Sequence, residues 1–246
     1  MQAFARGLAV IRCFDAEHPE LSLADVARRT GTTRAAARRF LLTLLDLGYV
    51  STDGGTFRLT PRVLDLGYSY LSSLSLPEVA QPHLERLSAQ LQESCSVSVL
   101  DGGDIVYVAR VATRRIMSTA ITVGTRFPAH ATSMGRVLLA ALDPAQAAAR
   151  LEEADPRALT ERTLRGAGPV LAELARVRRQ GFALVDQELE DGVRSVAVPL
   201  HRDGDVVAAV NVSVPASRFT TAQLRRDVLP QLRECARAVE EDLTRG

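Results

Sequence analysis

The sequence predicts an α+β protein built from two unlike domains, and three observations predict it. Residues 22–47 read as two short helices joined by a tight turn, with a β-hairpin signal directly after them. Beyond Glu93 the apolar period changes from helical to alternating. Short Asp/Gly turns join the strands of this second half, which implies a mainly antiparallel sheet with helices packed on it. The expected division is a winged helix-turn-helix over residues 1–60, a linker helix over 61–76, and the sheet domain over 77–246.

Taken in order, Phe4 to Asp15 carries apolar residues at 4, 8, 11 and 14 and reads as a first helix, ended by His18-Pro19-Glu20. Ser22 can cap a second helix, with Asp25 three residues on as a weak capping box. Thr30-Gly31-Thr32 interrupts the pattern, and Thr32 or Thr33 caps a third helix. On a wheel of about 100° per residue, Arg34, Ala35, Arg38, Arg39 and Asp46 fall on one side of that helix. Ala36, Ala37, Phe40, Leu41, Leu44 and Leu47 fall on the other. Leu42 and Leu45 break the segregation and are expected to touch a neighbouring element. Tyr49 to Thr60 holds two β-prone runs around Asp53-Gly54-Gly55-Thr56, a hairpin signal that makes the wing.

Charge gives this first domain a function. From Val26 to Arg39 there are five arginines and no acid, while the whole chain carries a net charge of only +1. Arginines and small methyl-bearing residues near a helix N-terminus suit a major groove: arginine forks to guanine or phosphate, and alanine permits close approach. The expected DNA contacts are Arg6, Thr33, Arg34, Ala35, Arg38, Arg39 and, from the wing, Arg58. A solvated basic helix face is the competing explanation of the same charges.

Pro61 to Leu76 reads as an apolar linker helix weakened at Gly67 and closed by Pro77, which would pack against another subunit. Pro82 to Glu93 is a further helix. Strands follow at 96–100 and 105–111 around Asp101-Gly102-Gly103-Asp104, with a third at 116–123. A loop occupies 124–129. Helices are expected at 132–142, 144–153 and 168–180, the last closed by Gly181. Strands at 182–185, 193–200 and 206–214 precede a closing helix at 220–243. No internal repeat is present.

Composition narrows the options. The 246 residues are 46% hydrophobic and 24% charged, enough for packed cores in a soluble chain. Neither a membrane-spanning run nor a signal peptide is evident, so a cytoplasmic location is expected. All 30 basic residues other than histidine are arginines, which excludes lysine Schiff bases and phosphate-loop ATPases. Cys13, Cys95 and Cys235 form no Cys-x-x-Cys pair, and the four histidines lack metal-ligand spacing, so neither a disulfide framework nor a metal or other cofactor is expected.

A ligand site is expected in the sheet domain. Arg126 to Gly135 is a loop with Arg126 and His130 that runs into a helix start bearing Thr132, Ser133 and Met134. Exposed N–H groups and the positive helix end would suit a carboxylate there, though plain N-capping would look the same. Asp186, Arg194 and Ser195 reach an otherwise apolar strand. Asn211 and Ser213, two apart, share one face of another strand and must find polar partners. Arg110, Arg114 and Arg115 add positive charge.

These segments together resemble the IclR type of bacterial transcriptional regulator over essentially the whole chain. The resemblance is carried by ARGLAVIRCF, LADVARRTG, TRAAARRFLLTLLDLGYV, FRLTPRVLDLG, PAHATSMGRVLLA, GVRSVAVPL and VAAVNVSVP. RFPAHATSMGRVLLA and LTPRVLDLGYSYLSSL are most similar to the Pca/Pob branch, which controls aromatic-acid catabolism through the β-ketoadipate pathway. The resemblance implies a winged helix, a linker helix and a GAF-like effector domain. It also implies an operator of double-stranded DNA, a small organic acid as effector, homodimers or dimers of dimers, and RNA polymerase as a further partner. It places effector contacts at Ser133, Met134, Asp186, Ser195, Asn211 and Ser213. Met134 and Ser195 differ from some members, so a different catabolic operon with another small-acid effector is the alternative. A hydrolase using Ser133 and His130 lacks Gly-x-Ser-x-Gly and a third group, and a winged helix unused on DNA does not account for the arginine cluster.

Overall fold

The structure is a computed structural model that describes residues 2–66, 76–113 and 121–245. It divides into two compact units, Met1–Ser73 and Leu74–Gly246.

In the first unit, helices α1 (Gln2–Arg12), α2 (Leu23–Arg29) and α3 (Arg34–Asp46) enclose a core of Val10, Val26, Ala37, Leu41, Leu44 and Val50. Ser22 caps α2: its hydroxyl accepts from the Asp25 amide at 3.3 Å and donates to the Asp25 carboxylate at 2.6 Å. The hairpin expected after α3 is present as β2 (Val50–Thr52) and β3 (Thr56–Leu59). Its turn is held by the Asp53 carboxylate, which accepts from the Gly55 and Thr56 amides. A third strand that the sequence analysis did not anticipate, β1 (Glu20–Ser22), pairs with β3, giving the order β1-β3-β2. Three residues are too few to show alternation.

Two apolar assignments in this unit are corrected. Phe4 and Leu8 are 76% and 43% exposed; Phe14 is buried as expected, together with Val10 and Cys13, because only the end of α1 and the residues just after it reach the core. Leu42 and Leu47 are exposed as well: Leu42 lies off the buried face formed by Ala37, Leu41 and Leu44, and Leu47 is the C-cap of α3, past the last turn that packs.

Of the expected linker helix, Pro61–Val63 forms a 3-10 turn capped by Thr60, and residues 67–75 lie outside the described residues. The next helix, α4 (Leu76–Leu91), is already formed six residues before the expected start and contains both Pro77 and Pro82. Pro82 would suit a helix start, but the chain is helical ahead of it.

The second unit is a three-layer arrangement around a six-stranded antiparallel sheet. Its strands are β4 (Ser94–Asp101), β5 (Asp104–Val111), β6 (Arg126–Pro128), β7 (Ala183–Asp186), β8 (Val193–Arg202) and β9 (Asp205–Pro215), in the order β6-β5-β4-β9-β8-β7. Strand alternation divides the apolar residues between two cores. Val97, Val196, Val198, Val210 and Val212 face α4 and the closing helix α8 (Leu229–Arg245). Ile105, Tyr107, Ala183, Ala197 and Ala209 face α5 (Ser133–Ala141), α6 (Pro144–Ala154) and α7 (Ala167–Gln180). The strand expected at 116–123 falls outside the described residues up to 120, and 121–123 are not strand. The loop expected at 124–129 instead contains β6, which pairs with β5 through Arg126, Phe127 and Pro128. Leu229 is reached from Thr221 through a π turn at Leu224–Val228.

Candidate nucleic-acid interface and ligand cavity

The N-terminal turns of α3 are built to be presented. Thr33 caps the helix, its hydroxyl accepting from the Ala36 amide at 3.2 Å. Ala37, Leu41 and Leu44 anchor the opposite face in the core. Thr33, Arg34, Ala35, Arg38 and Arg39 are thereby all exposed. Among the described residues Arg34, Arg38 and Arg39 form no ion pair, whereas Arg28 and Arg29 on α2 are neutralised by Asp25 and Asp15. Three guanidinium groups without counter-charges on one helix face make a local positive field for phosphate and base edges. Arg6 is exposed on α1. Arg58 is exposed on the wing but sits 3.3 Å from Glu20, its register partner on β1.

In the second unit, the helix start expected to bind an acid is preceded by a 3-10 turn at Ala129–Ala131 that packs unusually close. A Cβ at position 135 would lie 2.2 Å from the Ala129 carbonyl oxygen, so only glycine allows that turn to lie on the first turn of α5. The turn fixes Thr132, which caps α5 by accepting from the Gly135 amide at 3.0 Å. Ser133 follows, 1% exposed.

Ser133 faces a small cavity of about 20 Å³, room for about one water. Its walls include Tyr107 on β5, Thr132 and Ser133, Ser195 on β8, and Asn211 and Ser213 on β9. Strand register explains the convergence, since Ser195 and Ser213 are directly opposed. Two polar atoms in it are unsatisfied: Ser133 Oγ and Asn211 Oδ1 are buried without a hydrogen-bond partner. The Asn211 Nδ2 donates to Ser213 at 3.1 Å. Buried polar atoms normally find partners, so a ligand with both a donor and an acceptor would complete this site.

Of the ten residues expected to contact an effector, five line this cavity: Thr132, Ser133, Ser195, Asn211 and Ser213. The others are engaged elsewhere. Met134 is fully buried in the apolar core beside α5. His130 donates from Nε2 to the Arg157 carbonyl at 3.0 Å, and burial holds its pKa below the ordinary imidazole value. Arg126 pairs with Asp101 and Asp104 at the outer edge of the sheet. Asp186 and Arg194, also opposed in register, lie on the other face from Ser195. Arg194 there binds the Asp186 carboxylate and the Ala216 and Phe219 carbonyls. Burial alone would raise the Asp186 pKa, but the hydrogen bonds and charge of Arg194, with help from Gln187 and Arg162, outweigh it and lower it. Arg114 and Arg115 lie outside the described residues.

Sequence reasoning missed Tyr107 and Leu189 in the cavity wall. It also missed the device that holds the Leu189 loop: Arg136, 1% exposed, forks onto Glu188 and donates from Nε to the His130 carbonyl. An unusual arginine within an apolar helix, RVLLAA, was the available signal.

Two family models match the chain: the IclR helix-turn-helix domain over residues 3–54, and the C-terminal region of bacterial transcriptional regulators of the IclR type over 68–241. The Pca regulon regulatory protein of Pseudomonas putida is 47% identical over 96% of this chain and 82% of its own length. A transcriptional regulator from Rhodococcus superposes with a TM-score of 0.88 at 58% identity, covering 99% of this chain and 98% of that one. An IclR homologue from Microbacterium hydrocarbonoxydans, solved in complex with 4-hydroxybenzoate, has a TM-score of 0.84 at 26% identity, covering 98% of each chain.

Proposed function

The chain belongs to the IclR family of bacterial DNA-binding transcriptional regulators, and from that premise we propose that it controls an aromatic-acid catabolic operon of the β-ketoadipate pathway in response to a small carboxylic acid. The observation that carries the effector half is the small cavity with two unsatisfied polar atoms, Ser133 Oγ and Asn211 Oδ1. Ser195, Ser213 and Thr132 complete the contact set. Support for the pathway comes from the similarity to the Pca regulon regulator and from the 4-hydroxybenzoate bound by the Microbacterium homologue.

In this reading residues 1–60 hold the operator, with Arg34, Ala35, Arg38 and Arg39 in the major groove and Arg6, Thr33 and Arg58 on the backbone. Residues 61–76 join subunits into a dimer or a dimer of dimers, and 77–246 bind the acid. The protein works in the cytoplasm, catalyses no reaction, and meets RNA polymerase at the promoter. The acid acts by binding one dimer geometry more tightly than the other, since equal affinity for both would shift nothing.

A gel shift on the chain's own upstream region, with and without 4-hydroxybenzoate, protocatechuate or β-ketoadipate, tests this. One of the three should change operator affinity. No binding to any neighbouring promoter at moderate salt would overturn the reading.

A further inference from the structure

The sheet face that carries the cavity also carries an arginine with no ion pair among the described residues. Arg110 on β5 is directly opposite Ser96 on β4, and Ser96 is directly opposite Asn211 on β9. Residues opposed in this way project to one face, so Arg110, Ser96 and Asn211 form a row across three strands. The next row holds Tyr107, Ser98 and Ala209. Tyr107 and Asn211 are themselves cavity walls.

The Arg110 side chain leans along this row towards the cavity, with Nη1 donating to Ser96 Oγ at 3.0 Å. Its Nε is buried without a partner, and so is Ser98 Oγ in the adjacent row. No carboxylate among the described residues lies within ion-pair distance of Arg110, and burial lowers its pKa. The segments outside the described residues, 67–75 and 114–120, contain no Asp or Glu in sequence. A half-buried guanidinium with one neutral hydrogen bond is costly unless an anion completes it.

We propose that Arg110 is the carboxylate anchor of the effector site, and that the cavity widens towards it when an acid binds. The proposal rests on the effector reading above and adds the residue that selects for charge. It places the acid group on β5 rather than at the α5 start, where the Thr132 hydroxyl already takes the Gly135 amide. The Arg110 fork would meet the two carboxylate oxygens, with the Ser96 and Ser98 hydroxyls free to donate as well. The cavity as it stands holds about one water, so an aromatic acid needs added space. The unpartnered Nε and Ser98 Oγ mark the direction in which opening satisfies polar groups.

The test compares 4-hydroxybenzoate with its uncharged isostere, 4-hydroxybenzamide, by calorimetry and thermal shift on the full chain. Wild type should prefer the acid by about tenfold or more, the range of charge-assisted hydrogen bonds. Arg110→Gln should lose that preference, its acid affinity falling more than its amide affinity, and its unliganded melting temperature should not fall. Should that variant not fold, Arg110→Lys serves: it keeps the charge, lacks the fork, and should lose acid affinity several-fold. A retained acid preference in Arg110→Gln, or unaltered acid affinity in Arg110→Lys, overturns the anchor and leaves the effector reading standing. If wild type binds neither this acid nor protocatechuate nor β-ketoadipate, the effector reading fails and the anchor with it.

Discussion

Arg136 and Glu188, 52 residues apart in sequence, meet in a forked ion pair with Nη1 2.8 Å from Oε1, both buried. Glu188 also accepts from the Leu164 amide, and its carbonyl accepts from Thr163. The pair therefore ties three segments together: α5, the 159–164 turn, and the loop whose next residue, Leu189, closes the cavity. Replacing Glu188 with Gln leaves a buried guanidinium uncompensated and should cost about 3–5 kcal/mol. The chain has no tryptophan, so urea unfolding followed by circular dichroism is the suitable measurement. The double change Arg136→Met with Glu188→Leu should recover most of that loss. A Glu188→Gln variant as stable as wild type would mean that solvent reaches the pair.

His130 gives the same region a pH dependence. Burial is the main reason its folded pKa is depressed, and the Arg136 charge adds to it, while the hydrogen bond to the Arg157 carbonyl and the Glu188 charge oppose. A depressed folded pKa means that the unfolded chain takes up the proton first. The stabilisation is thus fully present above the unfolded value of about 6.5 and is lost as pH falls through the lower folded value. The depressed Asp186 carboxyl contributes in the same sense, but only where pH falls below the ordinary aspartate value of about 3.9. Melting temperature should drop between pH 7.5 and 5.5, and His130→Gln should flatten that drop. Identical slopes in the two proteins would assign the acid limb to another group.

Much of this was legible from local pattern. The α3 arginines, their Thr33 cap and the Asp53 turn each follow from a few adjacent residues. Ser195, Asn211 and Ser213 stood out because they interrupt apolar strands. What failed was non-local. Tyr107 joins the cavity through strand register, and Arg136 meets Glu188 through a contact spanning 52 residues. Arg194 failed for a simpler reason: it is adjacent to Ser195 on a strand, so the two cannot face the same cavity.

Arg38 separates DNA recognition from a merely basic surface. It is exposed and makes no ion pair among the described residues, so removing it should leave the fold intact. Arg38→Ala should weaken operator binding by about 1–3 kcal/mol if it reads a base, and more uniformly across sequences, with a smaller salt slope, if it holds a phosphate. Fluorescence anisotropy on a labelled operator at several salt concentrations distinguishes these. Affinity equal to wild type at every concentration would remove Arg38 from the interface.

Ser133 tests the cavity from the side of stability. A buried hydroxyl without a partner has lost its hydration and gained no bond in exchange. Removing it with Ser133→Ala should leave melting temperature unchanged or slightly raised, by up to about 1 kcal/mol of stability. The nearby Thr132 cap is expected to behave oppositely, since its oxygen takes the Gly135 amide, and Thr132→Ala should cost about 1 kcal/mol. Acid binding should weaken about tenfold in Ser133→Ala, roughly 1.4 kcal/mol, because the hydroxyl is unpaired until the ligand arrives. Stability and affinity therefore move apart at position 133, which a structural role would not produce. A variant that melts well below wild type with its acid affinity intact would show that the hydroxyl serves the fold and that the effector lies elsewhere.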